Sequence, residues 1–372
     1  MSGLIIDKQQ EAIQTAVSGH NFILIGQPGT GKSYTIGKIY EQLKVQGKHV
    51  FLTCTTGIAC TNFGVQAETI HRWAGLEDGR YTSIELCNLI KNSPKYSRIL
   101  QNIITADVLI IDEISMLSAK LFQQLCDICS IKDSTKLFGG IQIIVSGDFL
   151  QLAPVPNRNY NDEGAMCFTC PLFEKVLPHK VVLNRVVRQD NERFINVIHE
   201  VSKGIVSPES ISYIKTLDRP LPIGNEVMLF SNNDLVNVYN RRQILNGPGV
   251  IREFVSEDSG DVRMLIKSTA PPRLWLKEGC PVILIRNLNN KLVNGLRGKV
   301  VDFEDTSPIV HFPSINCTTK VEKVSFSVFN PDKNMTVATR VQGNSRLSTD
   351  LQTWSTWRGY GKSKNTGRFK NC

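Results

Sequence analysis

Long apolar runs are missing from this 372-residue sequence. None approaches the ~20 residues that a membrane-crossing helix requires. The opening "MSGLIIDKQQEAI" carries neither a secretory apolar region nor an Arg-rich presequence, so the chain reads as cytosolic or nuclear, with no membrane partner. Acidic residues are in deficit as well. Thirty-four Asp and Glu face 43 Lys and Arg, which gives a net charge of +9 and a pI near 9.0. The last 32 residues, from Val341 to Cys372, supply +5 of that charge, so the rest of the chain is only mildly basic. Such a balance fits a polyanionic partner without identifying one.

A metal-type cysteine spacing is also lacking. The ten cysteines include the pairs Cys126/Cys129 and Cys167/Cys170, but the gap between them runs from Ser130 to Met166. The knuckles of a ribbon-type zinc site stand only about 15 to 20 residues apart. In "SAKLFQQLCDICSIK" the residues Leu121, Phe122, Leu125 and Ile128 recur at helical spacing. Cys126 and Cys129 therefore read as small residues on a buried helix face, and no zinc is expected. Without a secretory signal, disulfides are not expected either.

What is present is the composition of an ordinary folded protein of two or three domains, with 41% hydrophobic and 21% charged residues. The first half alternates short apolar runs ("NFILIG", "HVFLTCT", "ADVLIIDE", "GIQIIVSGD") with helical patterns. That rhythm predicts an α/β fold with a parallel sheet covered by helices. After about Arg188 the pattern changes, and "NEVMLFSNNDLVNVYNRRQIL" reads as one more strand and helix. From about Val250 the chain is β-rich, with "WLKEGCPVILIRN", "LRGKVVDF" and "SPIVHF" separated by Gly, Pro and Asn turns, the pattern of a small barrel. Beyond Arg340 the aliphatic residues nearly vanish, which describes a segment unable to bury enough surface to fold. The expected division is 1–190, 191–250, 251–340 and a basic disordered tail at 341–372, without internal repeats.

The stretch "GQPGTGKS", Gly26 to Ser33, matches GxxxxGK[ST] where a strand ends and a helix begins, so it predicts a phosphate cradle for ATP. Gly26, Gly29, Thr30 and Gly31 let backbone N–H groups point at phosphate oxygens, Lys32 reaches the outer phosphates, and the Ser33 hydroxyl suits Mg²⁺. In "VLIIDEIS" four apolar residues deliver Asp112 and Glu113 to the end of a buried strand. Asp112 is then the second group for Mg²⁺, and Glu113 the base that orients and deprotonates the attacking water. In "IQIIVSGDFLQL" Gln151 is placed to bond the γ phosphate or the water. In "DKQQEA" Gln10, whose amide both donates and accepts, suits the adenine edge.

These blocks, in this order, resemble the petite-integration-frequency family of superfamily-one DNA helicases, which translocate 5′ to 3′. The resemblance covers roughly residues 5 to 340 and rests also on "TTGIACTNFGVQAETIHRWAGL", "LIIDEISML", "FGGIQIIVSGDFLQLAPV", "LNRVVRQDNERF" and "WLKEGCPVILIRNLNNKLVNGLRGKVVDF". It implies a RecA-like P-loop core, then a second RecA-like core with an SH3-like β insert whose turn is made by Asn294 and Gly295. It further implies that Thr56, Gly57, His71 and Trp73 touch single-stranded DNA, and that Arg188 reaches the γ phosphate as a catalytic arginine. The implied activity is ATP-dependent unwinding of forked duplex DNA by a monomer, in telomere maintenance, repair and recombination, in nucleus or mitochondrion.

The resemblance stops after "MTVATRVQ". Neither a "HKSQG"-like nor a "VALSR"-like motif follows, so the second core is expected to be incomplete and the chain to be a truncated or alternatively spliced product. Two readings stand at this point: a DNA helicase, or an ATP- and single-strand-binding remnant that regulates without unwinding.

Overall fold

The computed structural model describes residues 7–63, 67–219, 228–230, 232–267, 270–285, 288–289, 291–292, 295–305, 307–330, 335–342, 347–349 and 353–355. Two compact units are present, Met1–Pro220 and Leu221–Cys372.

The first unit is built on six strands: β1 (Phe22–Gly26), β2 (Val50–Cys54), β3 (Ala67–Thr69), β4 (Val108–Asp112), β5 (Gln142–Gly147) and β6 (His179–Leu183). They pair in parallel in the order β3-β2-β4-β5-β1-β6, the expected covered sheet. Every residue of β4 is buried, as an apolar run flanked by helices on both faces demands. Its side chains alternate between two cores: Leu109 and Ile111 pack with Ile143 and Val145, while Val108 and Ile110 pack with Ile144, Leu24 and Phe22.

Among the described residues of this unit the α-helices are α1 (Asp7–Val17), α2 (Lys32–Val45), α3 (Gly57–Thr61), α4 (Ile70–Ala74), α5 (Ser83–Asn92), α6 (Ser97–Thr105), α7 (Ala119–Cys129), α8 (Phe173–Val176), α9 (Glu192–Lys203) and α10 (Pro208–Thr216). Their starts follow local chemistry. The Ser118 hydroxyl accepts from Leu121 N–H to cap α7, and Thr82 forms a reciprocal capping box with Glu85 on α5. In α7 the residues Phe122, Leu125, Cys126, Ile128 and Cys129 are buried, so both thiols of "CDIC" face the core. The compact unit runs on to Pro220, with α9 against the loop after β1 and α10 packed on α9.

The second unit opens with β7 (Met228–Phe230) and α11 (Asn233–Asn246), followed by β8 (Arg252–Gly260), β9 (Arg273–Leu276), β10 (Pro281–Leu284), β11 (Arg297–Glu304), β12 (Ser307–Phe312), β13 (Cys317–Lys320), β14 (Val324–Asn330) and β15 (Met335–Gln342), then β16 (Leu347–Thr349) and β17 (Thr353–Ser355). A five-stranded sheet β13-β12-β11-β10-β16 and a four-stranded sheet β14-β15-β8-β9, both antiparallel, share a core of Phe254, Leu276, Val282, Val300, Val310 and Phe312. Close packing explains Gly298, where a Cβ would stand 2.5 Å from Val310 Cγ1. Asn294, half of the expected turn, lies outside the described residues, and Gly295 holds a φ of 91°. Most of the expected tail also lies outside them. Its described pieces are strands: β16 adds antiparallel to β10 and β17 adds parallel to β7, since an unpaired strand edge satisfies backbone groups without apolar side chains.

Candidate active site

All six strands of the first unit point the same way, so the loops after β1, β2, β4, β5 and β6 gather along one edge of the sheet, where ligands of open α/β sheets bind. The loop after β1 is a tight cradle. A Cβ on Gly26 would lie 2.5 Å from Thr30 Oγ1 and 2.9 Å from the Leu183 carbonyl, so only glycine fits. Gly29 and Gly31 hold φ values of 82° and 90°, the left-handed region that glycine enters freely. Gly31 is the N-cap of α2 and its side chain can satisfy no N–H, so the first amides of that helix remain available to an anion. Thr30 Oγ1 donates to the Gln27 carbonyl at 2.9 Å, and Lys32 Nζ donates to the Gly26 and Gln27 carbonyls at 2.6 and 3.2 Å. Burial lowers the Lys32 pKa, Glu113, Asp148 and Asp112 raise it, and Arg188 lowers it further, which places four charged side chains around one ammonium.

Ser33 Oγ donates to Asp112 Oδ2 at 3.0 Å, across 79 residues of chain. A hydroxyl and a carboxylate side by side make the hard-oxygen donor set that Mg²⁺ takes, so these residues fit that ion. Glu113 follows Asp112 in the left-handed region, at φ 57°, and its N–H donates to Asp112 Oδ1 at 3.0 Å. That turn aims two successive carboxylates differently: one is tied to Ser33, the other is free of such a tie. Burial raises the Glu113 pKa, the Asp112 charge adds to the effect, and Lys32 opposes it.

The remaining expected residues divide. Arg188 is exposed, but its N–H donates to the Gly29 carbonyl at 3.2 Å, and a Cβ on Gly29 would stand 3.0 Å from Arg188 Cβ, so it lies on the cradle. Gln151 is exposed and its Nε2 donates to Asp148 Oδ2 at 3.3 Å. Gln10 is exposed on α1, while its neighbour Gln9 is buried and brings its Nε2 within 2.6 Å of where a Gly31 Cβ would be. Trp73 is wholly buried against Phe51 in the core. On the neighbouring turn, burial pulls the half-buried His71 below the usual imidazole range. Thr56 caps α3 by accepting from Ala59 N–H at 3.2 Å, and Gly57 begins that helix. Cys126, Cys129, Cys167 and Cys170 are buried in the core, and the described residues hold no group of three or more His, Cys, Asp or Glu able to take a metal.

Two functional-looking residues escaped sequence reasoning. Gln9 shares the face of Ala12, Ile13 and Ala16, all buried, so the helical phase of α1 was a usable signal. His199 on α9 meets the Gln27 side chain through Nδ1, and no local pattern joins residues so far apart. Both Gln27 and His199 line a cavity of about 810 Å³ with Gly26, Asp148, Arg185 and Glu192.

Comparison with known proteins gives the same outline. A family model described as PIF1-like helicase matches residues 4–210, and one described as DNA helicase Pif1, 2B domain, matches residues 263–303. The chain is 32% identical over 362 residues to the ATP-dependent DNA helicase PIF1 of Saccharomyces cerevisiae, covering 93% of this chain and 41% of the relative. It is 34% identical over 309 residues to the ATP-dependent DNA helicase PIF1 of Danio rerio, covering 80% of this chain and 47% of the relative. The chain thus spans less than half the length of these curated relatives. The crystal structure of Pif1 helicase from Candida albicans matches with a TM-score of 0.82 and 27% identity, over 95% of this chain and 85% of that one.

Proposed function

Because this chain belongs to the PIF1-like helicase family, we propose that it binds Mg-ATP in the first unit, hydrolyses it, and uses the turnover to move along single-stranded DNA and open forked duplexes. The observation that carries this reading is the contact of Ser33 with Asp112 at 3.0 Å, beside Lys32 and Glu113. Lys32, drawn off the Gly26 and Gln27 carbonyls, meets the outer phosphates, and the free amides at the start of α2 take the rest of their charge. Ser33 and Asp112 would hold Mg²⁺, which neutralises phosphate charge. Glu113 accepts a proton from the attacking water, Gln151 orients that water from the Asp148 side, and Arg188 meets charge developing on the γ phosphate. Gln10, exposed on α1, is the glutamine we assign to the adenine edge, with buried Gln9 beside Gly31 behind it.

The DNA part of the proposal rests on the family, on relatives named ATP-dependent DNA helicases and on the net charge of +9. Thr56, Gly57 and His71 are the contacts we assign to the strand, and Trp73 supports them from behind. Movement 5′ to 3′, a monomeric working state, and a place in telomere maintenance, repair or recombination in nucleus or mitochondrion are the finer parts of this reading. No helix among the described residues is long and apolar enough to cross a membrane. The test is unwinding of a 5′-tailed fork by the chain with Mg-ATP, alongside Glu113→Gln. Strand separation lost in the variant supports the motor; ATP and strand binding without separation in either protein points to a regulator or decoy.

A further inference from the structure

The Cys54 and Cys60 thiols meet beneath the turn that joins β2 to α3. With Ala59 they form a small buried cluster of their own. Cys54 is fully buried, while Cys60 is 8% exposed, so one of the two is open to a small reagent. Cys60 Sγ also donates to the Thr56 carbonyl at 3.3 Å. Neither thiol has a part in the nucleotide chemistry above.

We propose that Cys54 and Cys60 form a reversible disulfide, a modification site that responds to peroxide and acts on the β2–α3 turn. The neighbouring Cys54 thiol pulls the Cys60 thiol below its ordinary range, which favours the nucleophilic thiolate on the more exposed sulfur. Cys60 attacks hydrogen peroxide: the O–O bond breaks, an S–O bond forms, and the sulfur is oxidised to the sulfenic acid with release of water. The Cys54 sulfur then attacks Cys60; the S–S bond forms, the S–O bond breaks, and the leaving hydroxide departs as water with the Cys54 proton. A small dithiol reduces the pair again. The other buried thiols are poorer candidates, since burial pushes Cys126, Cys129 and Cys167 upward.

A disulfide holds its sulfurs at about 2.05 Å. Closing to that distance moves Cys60 off the Thr56 carbonyl and draws the end of α3 that carries Cys60 toward β2. The same turn is fastened to the acidic pair: Thr55 N–H donates to the Asp112 carbonyl at 3.1 Å, and Thr55 Oγ1 to the Glu113 carbonyl at 2.8 Å. Thr56 and Gly57 lie between the two sulfurs, so oxidation reaches both the DNA contact and Glu113. That consequence rests on the proposed function; the bond itself does not.

The test uses the whole chain, treated with hydrogen peroxide, alkylated and digested with trypsin. Residues 49–72 fall in one tryptic peptide that contains Cys54 and Cys60 and no other cysteine. The expected result is that this peptide escapes alkylation and is lighter by two hydrogens. Oligothymidylate affinity and ATP turnover should then fall together and return with dithiothreitol, while Cys60→Ser and Cys54→Ala resist. Absence of the linked peptide in the wild type overturns the proposal, as does equal loss of function in wild type and Cys60→Ser. Should either variant misfold, mapping and dithiothreitol recovery in the wild type decide alone. A mapped link in a chain inactive even when reduced upholds the disulfide and counts against the functional reading.

Discussion

Glu113 sits buried beside a second carboxylate, and its raised pKa sets the sign of two pH effects. A carboxyl whose folded pKa lies above its unfolded value of about 4.3 stabilises the fold fully below that value. The contribution is lost as pH rises through the folded pKa. At neutral pH Glu113→Gln should therefore raise the melting temperature of the nucleotide-free protein, read by scanning calorimetry at pH 7, with the difference shrinking toward acid pH. Turnover depends on the ionised form, so its acid limb should lie above the ordinary glutamate range. In binding calorimetry Glu113→Gln should keep ATP affinity and lose hydrolysis, whereas Lys32→Ala should lose both. Arg188→Ala should leave binding largely intact and slow turnover by roughly 10³-fold. Motif spacing made Lys32, Ser33, Asp112 and Glu113 legible, because the chemistry needs those types at strand ends. Gln9 was not legible from motif spacing, since each helical residue turns the side chain by about 100° and only the phase of Ala12, Ile13 and Ala16 marks it as buried. Trp73 carried the same clue, with Ile70, Trp73 and Ala74 at buried helical spacing.

Elements hold the cradle in shape, and their contacts predict where it gives way. Gly26→Ala would drive a methyl into Thr30 Oγ1 and the Leu183 carbonyl, costing about 1–3 kcal/mol in denaturant melts. The variant should also weaken nucleotide binding, because the backbone that shifts carries the Gly26 carbonyl to which Lys32 donates. Gln10→Ala should raise the KM for ATP if that residue meets the base, and Gln9→Ala is the direct comparison with its neighbour on α1. His199→Ala on α9 should raise the KM for ATP more than it lowers kcat, because His199 reaches the phosphates only through Gln27. Strands β1, β2, β4 and β5 were legible as apolar runs, with a helix after each of the first three, while β3 and β6 were not. The α9 contact was not, because it joins residues 172 positions apart.

The whole molecule places every group assigned to ATP chemistry in the Met1–Pro220 unit, along one edge of one parallel sheet. The second unit was legible as β-rich from its Gly, Pro and Asn punctuation, but the strand pairings of β16 and β17 depend on edges offered elsewhere in the unit. Net charge acts at this scale. Binding to oligothymidylate should weaken with salt, each phosphate contact contributing a slope of about −0.7 in log K against log salt. The central claim is that strand contact and ATP hydrolysis are coupled through the loops at that sheet edge. Single-turnover ATP hydrolysis by the chain with Mg²⁺, with and without single-stranded DNA and beside Glu113→Gln, tests it most directly. The account predicts hydrolysis that DNA accelerates and that the variant lacks; hydrolysis no faster than the variant's, with or without DNA, would contradict it.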